Sequence, residues 1–187
     1  TYPKTSIEKI KYKSEEISIY GIAKGSGMIA PNMGTMLSYI FIEADLNKNE
    51  LKSILKKHIT PTFNSISVDG DTSTSDTVML FGLNSNKNKI KINKKLLKKI
   101  SKKVYLVMHN LAKQIVSDGE GISKLIEVNV KNANTKNQAS RVAFSIAESL
   151  LVKTAVAGED ANWGRVVMAI GKSDKNIKQN KLIIKFG

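Results

Sequence analysis

The chain has 187 residues, 41% of them hydrophobic, which is enough for one full domain or two small ones with an apolar core. It contains no cysteine, which excludes disulfides and thiolate metal sites, and its two histidines leave little for a zinc site. The net charge is +14, but only two of the 30 basic residues are the arginines that phosphate recognition favours, so a nucleic-acid-binding module remains only an alternative.

The ends of the chain and its apolar runs bear on where the protein works. No run approaches the roughly 20 apolar residues that a bilayer span needs, and the N-terminus lacks the layout of a signal peptide. We therefore expect a cytoplasmic protein without a membrane partner. The chain opens without an initiator methionine and stops on a strand-like run, so we also expect a fragment that is incomplete at both ends.

Strand-like patterns dominate the first 45 residues. Two β-like runs, "EKIKYK" and "EEISIYGIA", lie within residues 8–23, and the first alternates apolar and charged residues. They predict a strand pair. The apolar run "TMLSYIFIEA" that starts at Thr35 predicts a buried strand.

Helical spacing follows in two places. Asn47 and Glu50 have the spacing of a capping box, and apolar residues then recur at helical spacing until Pro61. His58 falls on that apolar face, where a hydrogen-bonded buried histidine is expected rather than a catalytic one. A longer amphipathic helix is predicted over about residues 93–116, after a short strand "VMLF".

The last third of the chain has the pattern of a small α+β unit. An alternating strand "KLIEVNVKN" precedes a helix over about residues 138–153, and a closing strand "KLIIKF" ends the unit. Between this helix and the closing strand, Trp163 is predicted to lie at the start of another helix and to anchor it by packing. We therefore predict two domains, residues 1–121 and residues 122–187.

The glycine-rich stretch "GIAKGSGMIAPNMGTML" (residues 21–37) has three interpretations. Its "GSGMIA" fits a permissive dinucleotide-binding pattern, but that pattern needs a helix that opens inside the glycine loop, and a strand-like run follows instead. A Walker A loop is excluded because no Gly-Lys-Ser/Thr follows. A turn between strands without chemistry is the plain alternative.

The third interpretation treats the bond between Gly34 and Thr35 as reactive. A threonine hydroxyl needs a base, and a free α-amino group on the same residue can be that base because its pKa lies near 8. Such a threonine must become an N-terminus by cleavage in front of it. Gly34 leaves the scissile carbonyl open to attack by the hydroxyl.

The stretch "KGSGMIAPNMGTML" closely resembles the self-cleavage motif of the ornithine acetyltransferases of arginine biosynthesis, also called glutamate N-acetyltransferases. In that family a precursor cuts itself before the threonine of a Thr-Met-Leu sequence. Four further stretches resemble family blocks in the family's order: "TFNSISVDGDTSTSDTV", "DGEGISK", "SLLVKTA" and "GEDANWGRV". The resemblance covers nearly the whole chain, and five ordered motifs make it specific.

The resemblance implies roles for individual residues. The nucleophile falls on Thr35, the cleavage site on Gly34 and Thr35, and the substrate-binding residues on Lys24, Thr35 and Glu120. Thr35 would take the acetyl group of N2-acetylornithine as an ester and pass it to glutamate. Lys24 can pair with a substrate carboxylate, and Glu120 with an ammonium group. Without the resemblance, Lys24 would be an ordinary surface lysine and Glu120 a turn residue.

The family further implies an αββα sandwich around the N-terminal threonine, followed by the start of a C-terminal α+β domain. It implies α and β chains from one precursor that assemble as an α₂β₂ tetramer, with no metal, no bound cofactor and no nucleic-acid partner. Whether acetyl-CoA is also a donor stays open. A threonine-dependent amidase or aminopeptidase of the same fold group is the alternative within enzymes.

Two departures from the family pattern matter for activity. The family usually has alanine where this chain has Gly34, which is sterically similar but more flexible, so we expect slower cleavage. The family's oxyanion hole and its closing asparagine and serine would lie outside these 187 residues. Because an oxyanion-hole donor is often worth 10² to 10³ in rate, we expect the fragment alone to lack useful activity.

The acidic loop "DGDTSTSDT" (residues 69–77) suggests a calcium site, but the EF-hand spacing fails. The sixth and twelfth positions hold Thr74 and Leu80, where glycine and glutamate are required. The loop either organises the backbone around Thr35 through side-chain hydrogen bonds or is a plain solvent loop.

Overall fold

In the computed structural model of the protein, the residues described are 1–30, 36–72, 75–84 and 90–187. They divide into two compact units, residues 1–120 and residues 121–187. The first contains a sheet with helices and the second contains three α-helices among the described residues. The mixed α+β class expected from the sequence is confirmed.

The sheet of the first unit has four strands: β1 (Lys4–Tyr12), β2 (Glu15–Lys24), β3 (Leu37–Ile42) and β4 (Thr77–Gly82). They lie in chain order; β1–β2 and β2–β3 are antiparallel, and β3–β4 is parallel. The register aligns Lys24 with Leu37 and Leu37 with Thr77. The end of β2 and the starts of β3 and β4 therefore meet at one end of the sheet.

Two helices cover one face of this sheet. Helix α1 (Lys48–Ile59) begins at Asn47 with the predicted capping box, and helix α2 (Lys94–Ser117) packs on β1 and β2. Close approach of α2 is possible because Gly21 faces it. A Cβ at Gly21 would lie 2.5 Å from Val107 Cγ1.

The two faces of the sheet differ in burial. Isoleucines of the central strands, including Ile17, Ile19 and Ile40, are fully buried against the helices. The opposite face exposes large apolar side chains: Ile7, Tyr20, Ile22, Met79 and Phe81. One helix layer on one sheet is half of the predicted αββα sandwich, and the exposed face is where a second sheet would pack.

The second unit contains three helices: α3 (Lys136–Ala147), α4 (Leu150–Ala157) and α5 (Trp163–Ser173). The prediction of a single helix over residues 138–153 is wrong, because the helix is interrupted between α3 and α4. Ser149 begins a new helix by accepting a hydrogen bond from the Val152 N–H. Small polar residues at this position satisfy the free amides of a helix start.

Two predicted strands of the second unit are wrong. Residues 124–132 and 181–186 form no strand pairing within the described part of the chain. Val128 and Val130 nevertheless pack against the helical core, as their alternation suggests. Trp163 begins α5 but is 67% exposed, so its expected role as a buried anchor is also wrong.

The lysines of α2 lie on its solvated face. Lys94, Lys98, Lys99 and Lys102 on α2 are exposed while the opposite stripe of the helix is buried, as the amphipathic pattern predicts. Within the described ranges, no helix is both long and apolar enough for a membrane crossing.

Candidate active site

A cleft of about 620 Å³ opens at the end of the sheet where β2 finishes. Its walls come from the first residues of the chain, the glycine loop after β2, and two acidic residues from distant segments. The lining residues are Thr1, Tyr2, Pro3, Lys4, Ala23, Lys24, Gly25, Ser26, Gly27, Met28, Asp69 and Glu120. The structure thus brings the two predicted substrate-binding side chains, Lys24 and Glu120, into one cleft.

Lys24 is the last residue of β2, and its side chain is exposed. Gly25 follows it with φ of +146°, a conformation that side-chain-bearing residues rarely adopt. A Cβ at Gly25 would lie 3.3 Å from the end of the Ile29 side chain and 3.5 Å from Met36 Cα, so the backbone conformation, more than the space, is what favours glycine here. The sheet therefore holds Lys24 at the cleft, and the main chain leaves the strand direction at Gly25, the next residue.

Glu120 comes from the turn that follows α2. Its N–H donates to the Ser26 carbonyl oxygen at 2.7 Å, which ties this turn to the glycine loop. Its carboxylate lies over Gly27, where an added Cβ would be 2.9 Å from Oε2. The absence of a side chain at Gly27 thus makes room for the carboxylate of Glu120.

A buried ion pair supports the turn that carries Glu120. Lys4 Nζ donates to Asp118 Oδ2 at 2.5 Å, and the Lys4 side chain is 2% exposed. The hydrogen bond from Lys4 lowers the pKa of Asp118. Asp118 also accepts from the Tyr2 N–H at 3.2 Å, so the end of α2 is fastened to the first strand.

Asp69 holds the upstream part of the glycine loop. Its carboxylate accepts the N–H groups of Met28 at 2.6 Å and Ile29 at 3.1 Å. The Ile29 carbonyl in turn accepts the Val68 N–H at 2.7 Å. Met28 has φ of +51°, an uncommon conformation for a residue with a side chain, and these bonds fix it there.

Asp76 holds the start of β3. Its carboxylate accepts the N–H of Met36, and the Met36 carbonyl accepts the Thr77 N–H at 2.9 Å. Burial raises the pKa of the Asp76 carboxyl, while the Met36 N–H and the charge of Lys24 oppose that rise. Lys24 is thus close enough to act electrostatically on Asp76.

Gly34 and Thr35, the predicted cleavage site and nucleophile, lie outside the described residues. Met36, which follows Thr35 in the sequence, is described at the same end of the sheet as Lys24. Four supporting residues were not singled out from the sequence: Lys4, Asp69, Asp76 and Asp118. Asp69 and Asp76 belong to the polar loop and Asp118 opens the stretch "DGEGISK", so the sequence drew attention to their segments but not to these side chains. The hydrogen bonds of Asp69 and Asp76 favour the interpretation that the polar loop organises the backbone.

Sequence comparisons agree on one family. The sequence model of the ArgJ family matches residues 1–187. The arginine biosynthesis bifunctional protein ArgJ of Bradyrhizobium diazoefficiens is 47% identical over 191 residues, and that of Brucella suis is 48% identical over 192 residues. Both alignments cover all of this chain and 46% of the relative, so the chain spans about half the length of these curated relatives.

A solved structure agrees with the sequence comparisons. The crystal structure of the arginine biosynthesis bifunctional protein argJ from Bacillus halodurans superposes with a TM-score of 0.65 at 39% identity. The superposition covers 78% of this chain and 68% of that chain. Because the family's sequence model extends over every residue, the chain belongs to the ArgJ family.

Proposed function

We propose that the protein is an acetyltransferase of arginine biosynthesis that moves the acetyl group of N2-acetylornithine to glutamate through an acetyl-Thr35 intermediate. The observation that carries this proposal is the cleft that Lys24 and Glu120 line together at the end of the sheet. Strand β3 begins at that end, two residues after Thr35. The names of the curated relatives support the pathway.

The charges of the cleft suit an amino-acid substrate. Lys24 offers an ammonium group to a substrate carboxylate, which both N2-acetylornithine and glutamate possess. Glu120 offers a carboxylate to the side-chain ammonium of ornithine. Charge-assisted hydrogen bonds of this kind are about twice as strong as neutral ones, so the pair can both bind and orient the substrate.

Self-cleavage would generate the nucleophile. The Thr35 hydroxyl attacks the Gly34 carbonyl carbon, the peptide C–N bond breaks, and the nitrogen takes the hydroxyl proton to become a free amine. Water then hydrolyses the resulting ester, which leaves a carboxylate on Gly34 and restores the Thr35 hydroxyl. The new α-amino group, with a pKa near 8, is the base for later turnovers.

Acetyl transfer then proceeds in two halves. The Thr35 hydroxyl gives its proton to the α-amino group and attacks the acetyl carbonyl, and ornithine leaves after taking a proton at its nitrogen. The amine of glutamate attacks the threonine ester, which forms N-acetylglutamate and returns the hydroxyl. No redox partner is required at either step.

The remaining features of the proposal follow from family membership. Residues 1–121 would be part of the catalytic αββα domain, and residues 122–187 the start of the C-terminal α+β domain. The α and β chains would arise from one precursor and assemble as an α₂β₂ tetramer in the cytoplasm. An assay with acetyl-CoA in place of N2-acetylornithine would show whether it is an additional donor.

The test uses protein expressed from the complete coding sequence, as wild type, Thr35→Ala and Thr35→Ser. We expect intact mass to show a product that begins at Thr35 in the wild type, a slower product in Thr35→Ser, which keeps a hydroxyl, and none in Thr35→Ala. A wild-type protein that stays uncleaved would overturn the mechanism.

Acceptor and donor assays distinguish the alternatives. N2-acetylornithine is supplied with glutamate or with water alone, and N-acetylglutamate and ornithine are quantified. Transfer to glutamate supports the acetyltransferase, whereas ornithine release at the same rate without glutamate identifies the amidase. Replacing N2-acetylornithine by acetyl-CoA then shows whether the second donor is accepted.

A further inference from the structure

The acidic loop over residues 69–76 contacts the main chain on both sides of the segment that carries the cleavage site. Upstream, Asp69 accepts the N–H groups of Met28 and Ile29. Downstream, Asp76 accepts the N–H of Met36. Since Gly34 and Thr35 lie between Ile29 and Met36 in the sequence, the two carboxylates hold the main chain before and after the scissile bond along the chain.

The downstream contact acts on the residue bonded to the proposed nucleophile. The nitrogen of Met36 is joined to the carbonyl carbon of Thr35, so a fixed Met36 amide restrains one end of the threonine. This amide is held by Asp76 on its N–H side, and the Met36 carbonyl is held by the Thr77 N–H. The restraint therefore continues into β4.

The upstream contact acts on the wall of the substrate cleft. Met28 and Asp69 both line the cleft, and the loop they join also contains Gly27, over which the Glu120 carboxylate lies. The Ser26 carbonyl accepts the Glu120 N–H. Loss of the Asp69 bonds would thus loosen the loop that positions Glu120.

We propose that Asp69 and Asp76 are positioning residues that clamp the chain on either side of the Gly34–Thr35 bond, with separate tasks. This inference rests on the proposed function. Asp76 positions Thr35 for cleavage and for acetyl transfer, whereas Asp69 shapes the substrate cleft and holds the upstream side during cleavage. Both tasks concern geometry, and a misplacement of about 1 Å can cost a reaction about 10²-fold in rate.

The division of tasks predicts a split in the kinetic constants. After cleavage, Thr35 is attached to the chain only through its carbonyl, so the Asp76 restraint acts directly on the nucleophile. Asp76 variants should therefore lower kcat, by about 10- to 100-fold for Asp76→Ala, with little change in KM. Asp69 variants should raise KM for N2-acetylornithine with a smaller effect on kcat.

The experiment uses protein from the complete coding sequence and follows cleavage by intact mass during cell-free synthesis. The variants are Asp76→Ala and Asp76→Asn, with Asp69→Ala and Asp69→Asn. The matched control is Asp71→Asn, since Asp71 belongs to the same loop but its carboxylate accepts no hydrogen bond from the described residues. Values of kcat are normalised to the amount of cleaved chain. A smaller yield of folded precursor is then not mistaken for a lower turnover rate.

We expect the wild type to cleave fastest, Asp76→Asn more slowly and Asp76→Ala most slowly. Asparagine keeps one acceptor oxygen for the Met36 N–H, whereas alanine keeps none. The control should cleave at the wild-type rate. If Asp76 variants match the control in both cleavage and kcat, or if Asp69 and Asp76 variants change KM and kcat alike, the inference is wrong while the proposed function stands. An uncleaved wild type would overturn both.

Discussion

Gly27 leaves open the space that the Glu120 carboxylate occupies. We expect Gly27→Ala to displace the Glu120 carboxylate, because the new Cβ would lie 2.9 Å from Oε2. A weakened charge-assisted contact of about 1.4 kcal/mol corresponds to about a tenfold rise in KM for N2-acetylornithine, with kcat largely retained. Gly171→Ala is the control, since a Cβ there meets nothing within 4 Å. An unchanged KM would contradict this prediction, because it would mean that the carboxylate moves aside without weakening substrate binding.

His58 makes stability depend on pH. Its ring nitrogen Nε2 lies 2.8 Å from Ser101 Oγ, and burial and the nearby charge of Lys57 lower the pKa of His58 despite that contact. The unfolded chain therefore binds a proton at a higher pH than the folded one. The contribution of neutral His58 to the free energy of unfolding should be fully present above the ordinary histidine pKa near 6.5. It should be lost as the pH falls below that value.

Urea unfolding between pH 5 and pH 8 checks this dependence. Wild-type unfolding free energy should decrease toward pH 5, and His58→Gln should flatten that decrease while keeping a hydrogen-bonding group for Ser101. Equal slopes for the two proteins would mean that another group is responsible.

The residues of the candidate site differ in how far the sequence could identify them. Lys24 and Glu120 were singled out because they stand in family-like motifs, and both line the cleft. Asp69 and Asp76 were recognised only as members of a polar loop. Composition indicates that such side chains are polar, but their partners are main-chain amides about 40 residues away, which no local pattern specifies.

The packing of α2 on β2 depends on Gly21. An alanine there would place Cβ 2.5 Å from Val107 Cγ1 and 2.7 Å from Leu111 Cδ1. Val107 is β-branched and fully buried, so it has little freedom to move away. We expect Gly21→Ala to lower the free energy of unfolding by about 1–3 kcal/mol, which denaturant titration would measure. A variant as stable as the wild type would mean that α2 shifts without cost.

Helices were easier to predict than strands in this chain. The capping box at Asn47 and the apolar stripe of α2 are local signals, and both elements begin within a residue of the predicted position. The alternating segment at residues 124–132 shows why strands are harder to predict. Alternation places Val128 and Val130 toward the core, but a strand also needs a hydrogen-bonded neighbour, and the residues of a neighbour are not specified by local alternation.

The interruption of the helix at Ser149 was missed because the apolar spacing continues across it.

The face of the sheet opposite the helices exposes large apolar side chains. Its aromatic side chains are already ordered, since Phe41 and Phe81 stack with ring centroids 5.1 Å apart and planes inclined by 14°. Ile22 and Met79 extend the same apolar surface. An apolar patch of this kind marks a surface that packs against something else. In an αββα sandwich, the second sheet covers it.

The substitution Phe81→Lys should therefore improve the behaviour of the 187-residue chain in solution but destabilise the complete protein. In the 187-residue chain alone, the exposed face should cause self-association, and the lysine should reduce it, as light scattering would show. In protein from the complete coding sequence, a covering sheet would enclose the charge, which costs several kcal/mol, so the same change should lower the melting temperature markedly. Ser53→Lys adds the same charge at an exposed position in the middle of α1 and should do neither. If Phe81→Lys leaves the complete protein as stable as Ser53→Lys does, the face is open to solvent there and the sandwich is wrong.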